Sequence, residues 1–329
     1  MKNIIFLEFI MILFSLLSCT KNNVEPQPIE NTVNEYLSYE ILPINTDQGI
    51  TNGLSTQFAF ITKEPNLRKN KLFIFLPGTA ATPQAYRKII QTAAENGYYS
   101  FGLHYDNSLS SAGICNNTND ESCVENALRE YFEGIDYSTE VSVNFPNSFI
   151  NRITKMILYL DSQNPSENWS QFLTNNNQIN WSLISLAGHS MGSRHAFFIS
   201  KQVSLYKVGL FSGPNGFVLA NGNFPSWIST DGETAISDIT GFSNVNDNVA
   251  EWNYVQNIWE ISGIQGTALN IDNNNAINSH QLFTEFIATN NGGSIIPAHN
   301  STCVDIDTPI DTNGRPKFES VWKYMCFPE

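Results

Sequence analysis

The stretch from Trp181 to Ser200 constrains this chain most. An apolar run, Leu183 Ile184 Ser185 Leu186 Ala187, leads into Gly188 His189 Ser190 Met191 Gly192, and a segment rich in Ala and Phe follows. That order predicts a strand, a sharp turn and a helix, with a serine at the apex. A serine held at a strained strand-to-helix turn projects its hydroxyl over the end of a sheet, and flanking glycines admit neighbouring backbone that a Cβ would exclude. A helix starting at the turn also aims its unpaired N–H groups at that point. The pentapeptide alone would equally suit a tight turn closed by small residues. The apolar strand before it and the helical segment after it favour a nucleophile.

The chain around this turn alternates strand and helix. Residues 36–61 alternate polar and apolar side chains around turn signals, which predicts an antiparallel edge. Leu72 Phe73 Ile74 Phe75 Leu76, ended by Pro77 Gly78, reads as a central strand buried on both faces. A helix over 83–96 closed by Gly97 follows, then a strand over 98–103, and that order implies a parallel sheet. Residues 107–147 form a long irregular stretch with a helix near 125–132, expected to be functional or stapled and to shape the mouth of the site. Apolar spacing predicts a helix over 149–160, a strand over 208–211, strands over 234–242 and 276–286 separated by a helix over 250–261, and a final helix from Arg315 onward. No Gly-, Pro- or Ser-rich linker divides residues 36–329, which read as one domain.

The amino terminus has a different character. Met1 Lys2 Asn3 precede an apolar run from Ile4 to Leu17, interrupted by Glu8 and Ser15, and then Ser18 Cys19. This is the pattern of a signal peptide over 1–18, too short and too soon polar to span a bilayer. Leu16 Leu17 Ser18 Cys19 resembles the bacterial lipobox, which implies a lipid on Cys19, a tether over 19–35 and a mature protein anchored at the cell envelope, on the outer membrane or its periplasmic face. Plain secretion is the alternative. Apart from Cys19 the chain has Cys115, Cys123, Cys303 and Cys326, an even number in an exported protein. Three connectivities are open, and proximity favours Cys115 with Cys123 and Cys303 with Cys326. A net charge of -14 argues against nucleic acid or anionic lipid as an electrostatic partner.

Strand, glycine-containing turn, helix, strand, G-x-S-x-G turn, and later an acid and a histidine: over nearly all of 36–329 the chain resembles the α/β-hydrolase superfamily. The resemblance implies a mostly parallel central sheet flanked by helices and a Ser-His-Asp triad, with no metal and no cofactor required. Ser190 matches the nucleophile, and Met191 the position whose N–H forms half of the oxyanion hole. Pro77 Gly78 Thr79 Ala80 resembles the family's His-Gly-X turn with Pro in place of His, making the Thr79 N–H the expected second donor. Residues 241–249 resemble the family's strand, polar loop and Asp-x-Val pattern, which implies Asp247 as the acid, with Asp238 in reserve. Two histidines follow the acid. His280 falls within a predicted strand and His299 in a loop beyond it, where the family places its base, so His299 is expected and His280 is the alternative. His104, His189 and His195 precede the acid and do not fit the order.

The implied chemistry is acyl transfer to water from a small-molecule or glycan-linked ester. A serine peptidase or amidase would use the same residues. An inactive hydrolase scaffold serving as a surface-binding lipoprotein is a reading of a different class, because fold does not fix function. A catalytic metal is disfavoured, since there is no H-E-x-x-H and the Asp272 Asn273 Asn274 Asn275 run lacks the other ligands of a calcium loop.

Overall fold

A computed structural model describes residues 36–108, 114–273, 276–288 and 294–328. The expected signal peptide, tether and Cys19 lie outside these residues. Among the described residues nine strands form one sheet: β1 (Tyr36–Ile41), β2 (Gln57–Thr62), β3 (Leu72–Leu76), β4 (Tyr99–Gly102), β5 (Ile184–His189), β6 (Lys207–Phe211), β7 (Ile239–Asn244), β8 (Leu269–Asn270) and β9 (Gln281–Thr284). Their order is β1-β2-β4-β3-β5-β6-β7-β9-β8. β2 runs antiparallel to both β1 and β4, and every other pairing is parallel. The helices are α1 (Pro43–Thr46), α2 (Arg87–Glu95), α3 (Ser122–Glu133), α4 (Phe149–Gln163), α5 (Met191–Gln202), α6 (Trp252–Ile261), α7 (Pro297–Asn300) and α8 (Glu319–Cys326). The sheet is mostly parallel and flanked by helices, which is the architecture that the α/β-hydrolase resemblance implied.

The unbroken apolar run of β3 is explained by two cores. Leu72, Ile74 and Leu76 pack with residues of α3 to α6, whereas Phe73 and Phe75 pack with residues of α2 and α8. All five are fully buried, and each such side chain stabilises the fold by roughly 1.5–3 kcal/mol. A one-residue slip would exchange the two sets and leave branched aliphatics where the aromatic cluster needs rings.

The stretch between β4 and α4 is stapled, as expected. Cys115 and Cys123 form a disulfide. The buried Glu130 carboxylate on α3 accepts the N–H groups of Tyr137, Ser138 and Val143 at 3.1, 3.0 and 2.7 Å, closing the turn that leads into α4. At the start of α4 the Ser148 hydroxyl caps the helix by accepting the Asn151 N–H.

Several expectations need correction. Cys303 and Cys326 are not bridged: both are free and buried. The Cys326 thiol sits over β6, where a Cβ added to Gly209 would lie 2.5 Å from its sulfur, so it serves as a small apolar filler between α8 and the sheet. Burial also pushes both thiols well above their ordinary pKa, which keeps them protonated. Residues 83–86 form a 3-10 turn before α2. The strand expected over 234–242 begins only at Ile239, after a 3-10 turn at Ile236–Asp238. The strand expected over 276–286 is confined to Gln281–Thr284, and the two-residue β8 pairs outside it. The last helix starts at Glu319, because Arg315 belongs to a turn in which its N–H is held by Asp311.

Candidate active site

β5 ends at His189 and α5 begins at Met191, so Ser190 alone makes the turn, at φ 54° and ψ −114°. A non-glycine residue there is strained by roughly 1–3 kcal/mol, which surrounding bonds must offset. The Ser190 N–H donates to Phe211 O at 2.9 Å, and the Ser193 hydroxyl donates back to Ser190 O at 2.6 Å. Both motif glycines are required by close approach. A Cβ on Gly188 would lie 2.2 Å from the Gly192 carbonyl carbon, and one on Gly192 would lie 2.0 Å from Leu76 O. The helix thus leaves the turn directly against the end of β3 and the backbone that follows it.

That following backbone is the 77–80 turn. The Tyr105 hydroxyl donates to Pro77 O at 2.8 Å, and the Asn107 amide donates to Gly78 O at 2.6 Å and Ala81 O at 2.7 Å. The Gly78 N–H is taken by the Tyr86 hydroxyl at 3.1 Å and the Ala80 N–H by Asn107 O at 2.9 Å. Among the described residues the Thr79 N–H has no protein acceptor. Met191 is the first residue of its helix, so its N–H lacks an intrahelical acceptor. The Thr79 hydroxyl lies 3.6 Å from the Met191 sulfur, which brings the two residues side by side.

The acid and the later histidine meet beyond β7. Asp247 accepts the Val249 and Ala250 N–H groups on Oδ1, at 2.8 and 2.9 Å, and directs Oδ2 at His299 Nδ1, 2.7 Å away. The two side chains are 0% and 3% exposed, so this contact is shielded from water. An ionised carboxylate can only accept, so the proton sits on Nδ1 and Nε2 is left able to take another. His299 stands on the one-turn helix α7 and not in an irregular loop. Asn244, at the end of β7, ties the two segments by donating to the Ser301 hydroxyl at 3.0 Å.

Ser190, His299, Thr79 and Met191 line one cavity of about 390 Å³, together with Arg194 and Asn215. Arg194 is buried on α5, donates from Nη2 to Asn215 Oδ1 at 3.1 Å, and is lowered by burial to about 10. The alternatives lie elsewhere. His280 precedes β9, bonds Thr240 Oγ1 through Nδ1 at 2.9 Å and lies against the Tyr324 ring, while Asp238 pairs with Lys207 at 2.7 Å. Neither lines this cavity. Sequence reasoning missed Tyr86, Asn107 and His189. For His189 the signal was its place directly before the serine.

No protein-family model matches the chain, and no curated protein matches it. Among solved structures it is similar to MGS-M1, an alpha/beta hydrolase enzyme from a Medee basin deep-sea metagenome library, at 15% identity and a TM-score of 0.41, over 77% of this chain and 83% of that one.

Proposed function

We propose that the protein is a serine hydrolase that cleaves an ester by acyl transfer to water. The observation that carries this is the buried 2.7 Å contact between Asp247 and His299 Nδ1, at the wall of the cavity that holds Ser190. His299 Nε2 removes the Ser190 proton as the hydroxyl attacks the acyl carbon, and Asp247 holds the imidazole in the required tautomer. The oxyanion is received by the N–H groups of Met191 and Thr79, each worth on the order of 3 kcal/mol in such sites. His299 then gives its proton to the leaving alcohol, and water enters by the same route in reverse. The substrate class is a small-molecule or glycan-linked ester. The lipobox-like Leu16 Leu17 Ser18 Cys19 supports a lipid anchor that holds this activity at the cell envelope.

A fluorophosphonate probe tests the nucleophile directly. Wild-type protein is expected to be labelled and to hydrolyse p-nitrophenyl acetate, and Ser190→Ala to do neither. Equal labelling of the two proteins, or none of the wild type, overturns the reading. For the anchor, wild type should partition with membranes and Cys19→Ser should not.

A further inference from the structure

We propose that His189, the residue before the nucleophile, is a positioning residue: through one directed hydrogen-bond chain it locks the turn carrying Thr79 to the backbone of His299. The proposal rests on the roles assigned above to Ser190, His299 and Thr79.

The chain has four members, and chemistry sets its direction at both ends. The Gly78 N–H can only donate, and its acceptor is the Tyr86 hydroxyl oxygen, 3.1 Å away. The single hydrogen of that hydroxyl is therefore available to His189 Nδ1, at 3.0 Å. The His299 carbonyl at the far end can only accept, and its partner is His189 Nε2 at 3.0 Å. The chain runs in one direction when His189 is neutral, with its proton on Nε2 and Nδ1 accepting. Burial and the neighbouring His299 ring, 4.6 Å away between centroids, both hold its pKa well below the ordinary value, consistent with that state. Burial likewise pushes the Tyr86 phenol upward, so it stays a donor.

Geometry makes the link rigid. Tyr86, His189 and His299 are 1%, 3% and 2% exposed, so an unmade bond would leave a polar group without water. A Cβ on Gly78 would lie 3.0 Å from His189 Nδ1, which shows how closely the turn runs over the ring. The His299 carbonyl also accepts the Ser212 hydroxyl at 2.7 Å, which fills its second lone pair. A neutral imidazole suits this place because it offers an acceptor and a donor on opposite edges of one rigid ring. The motif position matters as well: β5 sends His189 to the same face as Ala187, into the layer that contains Tyr86, and His189 and Tyr86 border the same cavity as Ser190. One wall of the cavity carries the oxyanion donor and the other the base, and His189 is the bolt between them. Displacement of either wall by about 1 Å can cost on the order of a hundredfold in rate.

The test compares Tyr86→Phe, His189→Leu, the double variant and His189→Gln with wild type on p-nitrophenyl acetate. Gln can present an oxygen to Tyr86 and an N–H to His299 O. Each of the first two variants is expected to lose about ten- to a hundredfold in kcat with KM within about twofold. The double variant should be no slower than the slower single one, because one chain is broken once, and His189→Gln should recover most of kcat. Multiplicative losses in the double variant, or unchanged kcat with only a lowered Tm, overturn the proposal. Nitrogen-15 NMR of histidine-labelled wild type reads the tautomer even where variants fail to fold: the Nε2–H form of His189 is expected, and an Nδ1–H form or an imidazolium at neutral pH overturns the chain. Absence of fluorophosphonate labelling in wild type would defeat the serine-hydrolase reading instead, with the relay still decided by NMR.

Discussion

Replacing Asp247 by Asn is the most informative change at the site, because the surrounding donors dictate how the amide must sit. Oδ1 receives two N–H groups, from Val249 and Ala250, and Oδ2 receives His299 Nδ1. In Asp247→Asn the amide oxygen stays with the two backbone donors. The opposite orientation would set an NH2 against two N–H groups, lose two hydrogen bonds to buried donors and cost roughly 1–3 kcal/mol for each. The amide NH2 therefore faces His299, Nδ1 becomes the acceptor, and the imidazole proton moves to Nε2. A protonated Nε2 cannot take the Ser190 proton. The expected loss is on the order of 10⁴ in kcat, about 5.5 kcal/mol of transition-state stabilisation. The Tm should hardly move, since the backbone donors keep their acceptor. Asp247→Ala supplies the contrast: it leaves the Val249 and Ala250 N–H groups without that acceptor and should lower both activity and Tm. The assay is p-nitrophenyl acetate turnover alongside thermal unfolding. Asp247→Asn turnover within tenfold of wild type would refute the tautomer argument.

Three further outcomes are expected. His299→Ala should abolish ester turnover while His280→Ala retains it, because His299 contacts Asp247 and lines the Ser190 cavity and His280 does neither; the reverse pattern in kcat measurements would reverse the assignment. Asp305, which accepts the Lys88 N–H at the start of α2, is held by burial at about 6, above an unfolded aspartate. Its folded form therefore binds the proton more tightly, its contribution is greatest below about pH 4 and is lost as pH rises through about 6, and the stability of wild type relative to Asp305→Asn should fall across that window in urea titrations. Peptide mapping after alkylation should find Cys115 joined to Cys123, and Cys303 and Cys326 modified only once the protein is unfolded; rapid modification of either in the native state would contradict their burial.

What could be read from the residues is what local rules govern. The apolar run Leu72–Leu76 announces a strand buried on both faces, and the turn at Ser190 announces itself because a Cβ at 192 or 188 would lie 2.0 or 2.2 Å from neighbouring backbone, which leaves only glycine there. The strand and helix alternation that follows from such signals, with right-handed crossovers, leaves few topologies besides a mostly parallel sheet. The order of acid and histidine along the chain, with the superfamily's loop placement, singled out Asp247 and His299. Only tertiary structure puts them 2.7 Å apart, because that needs β7 and the segment after β9 to end at the same edge.

Other features were settled by folding alone. The partners of His189 lie 103 and 110 residues away, so no local pattern shows that it joins Tyr86 to His299, and its place before the acid in the chain argued against a part in the site. The count of cysteines permitted a second disulfide, yet thiols pair by three-dimensional geometry and not by parity, and the packing of Cys326 over Gly209 makes that thiol a filler of the core. Short elements escaped for a related reason. Two residues at β8 carry no period of their own and become a strand only because β9 offers them an edge.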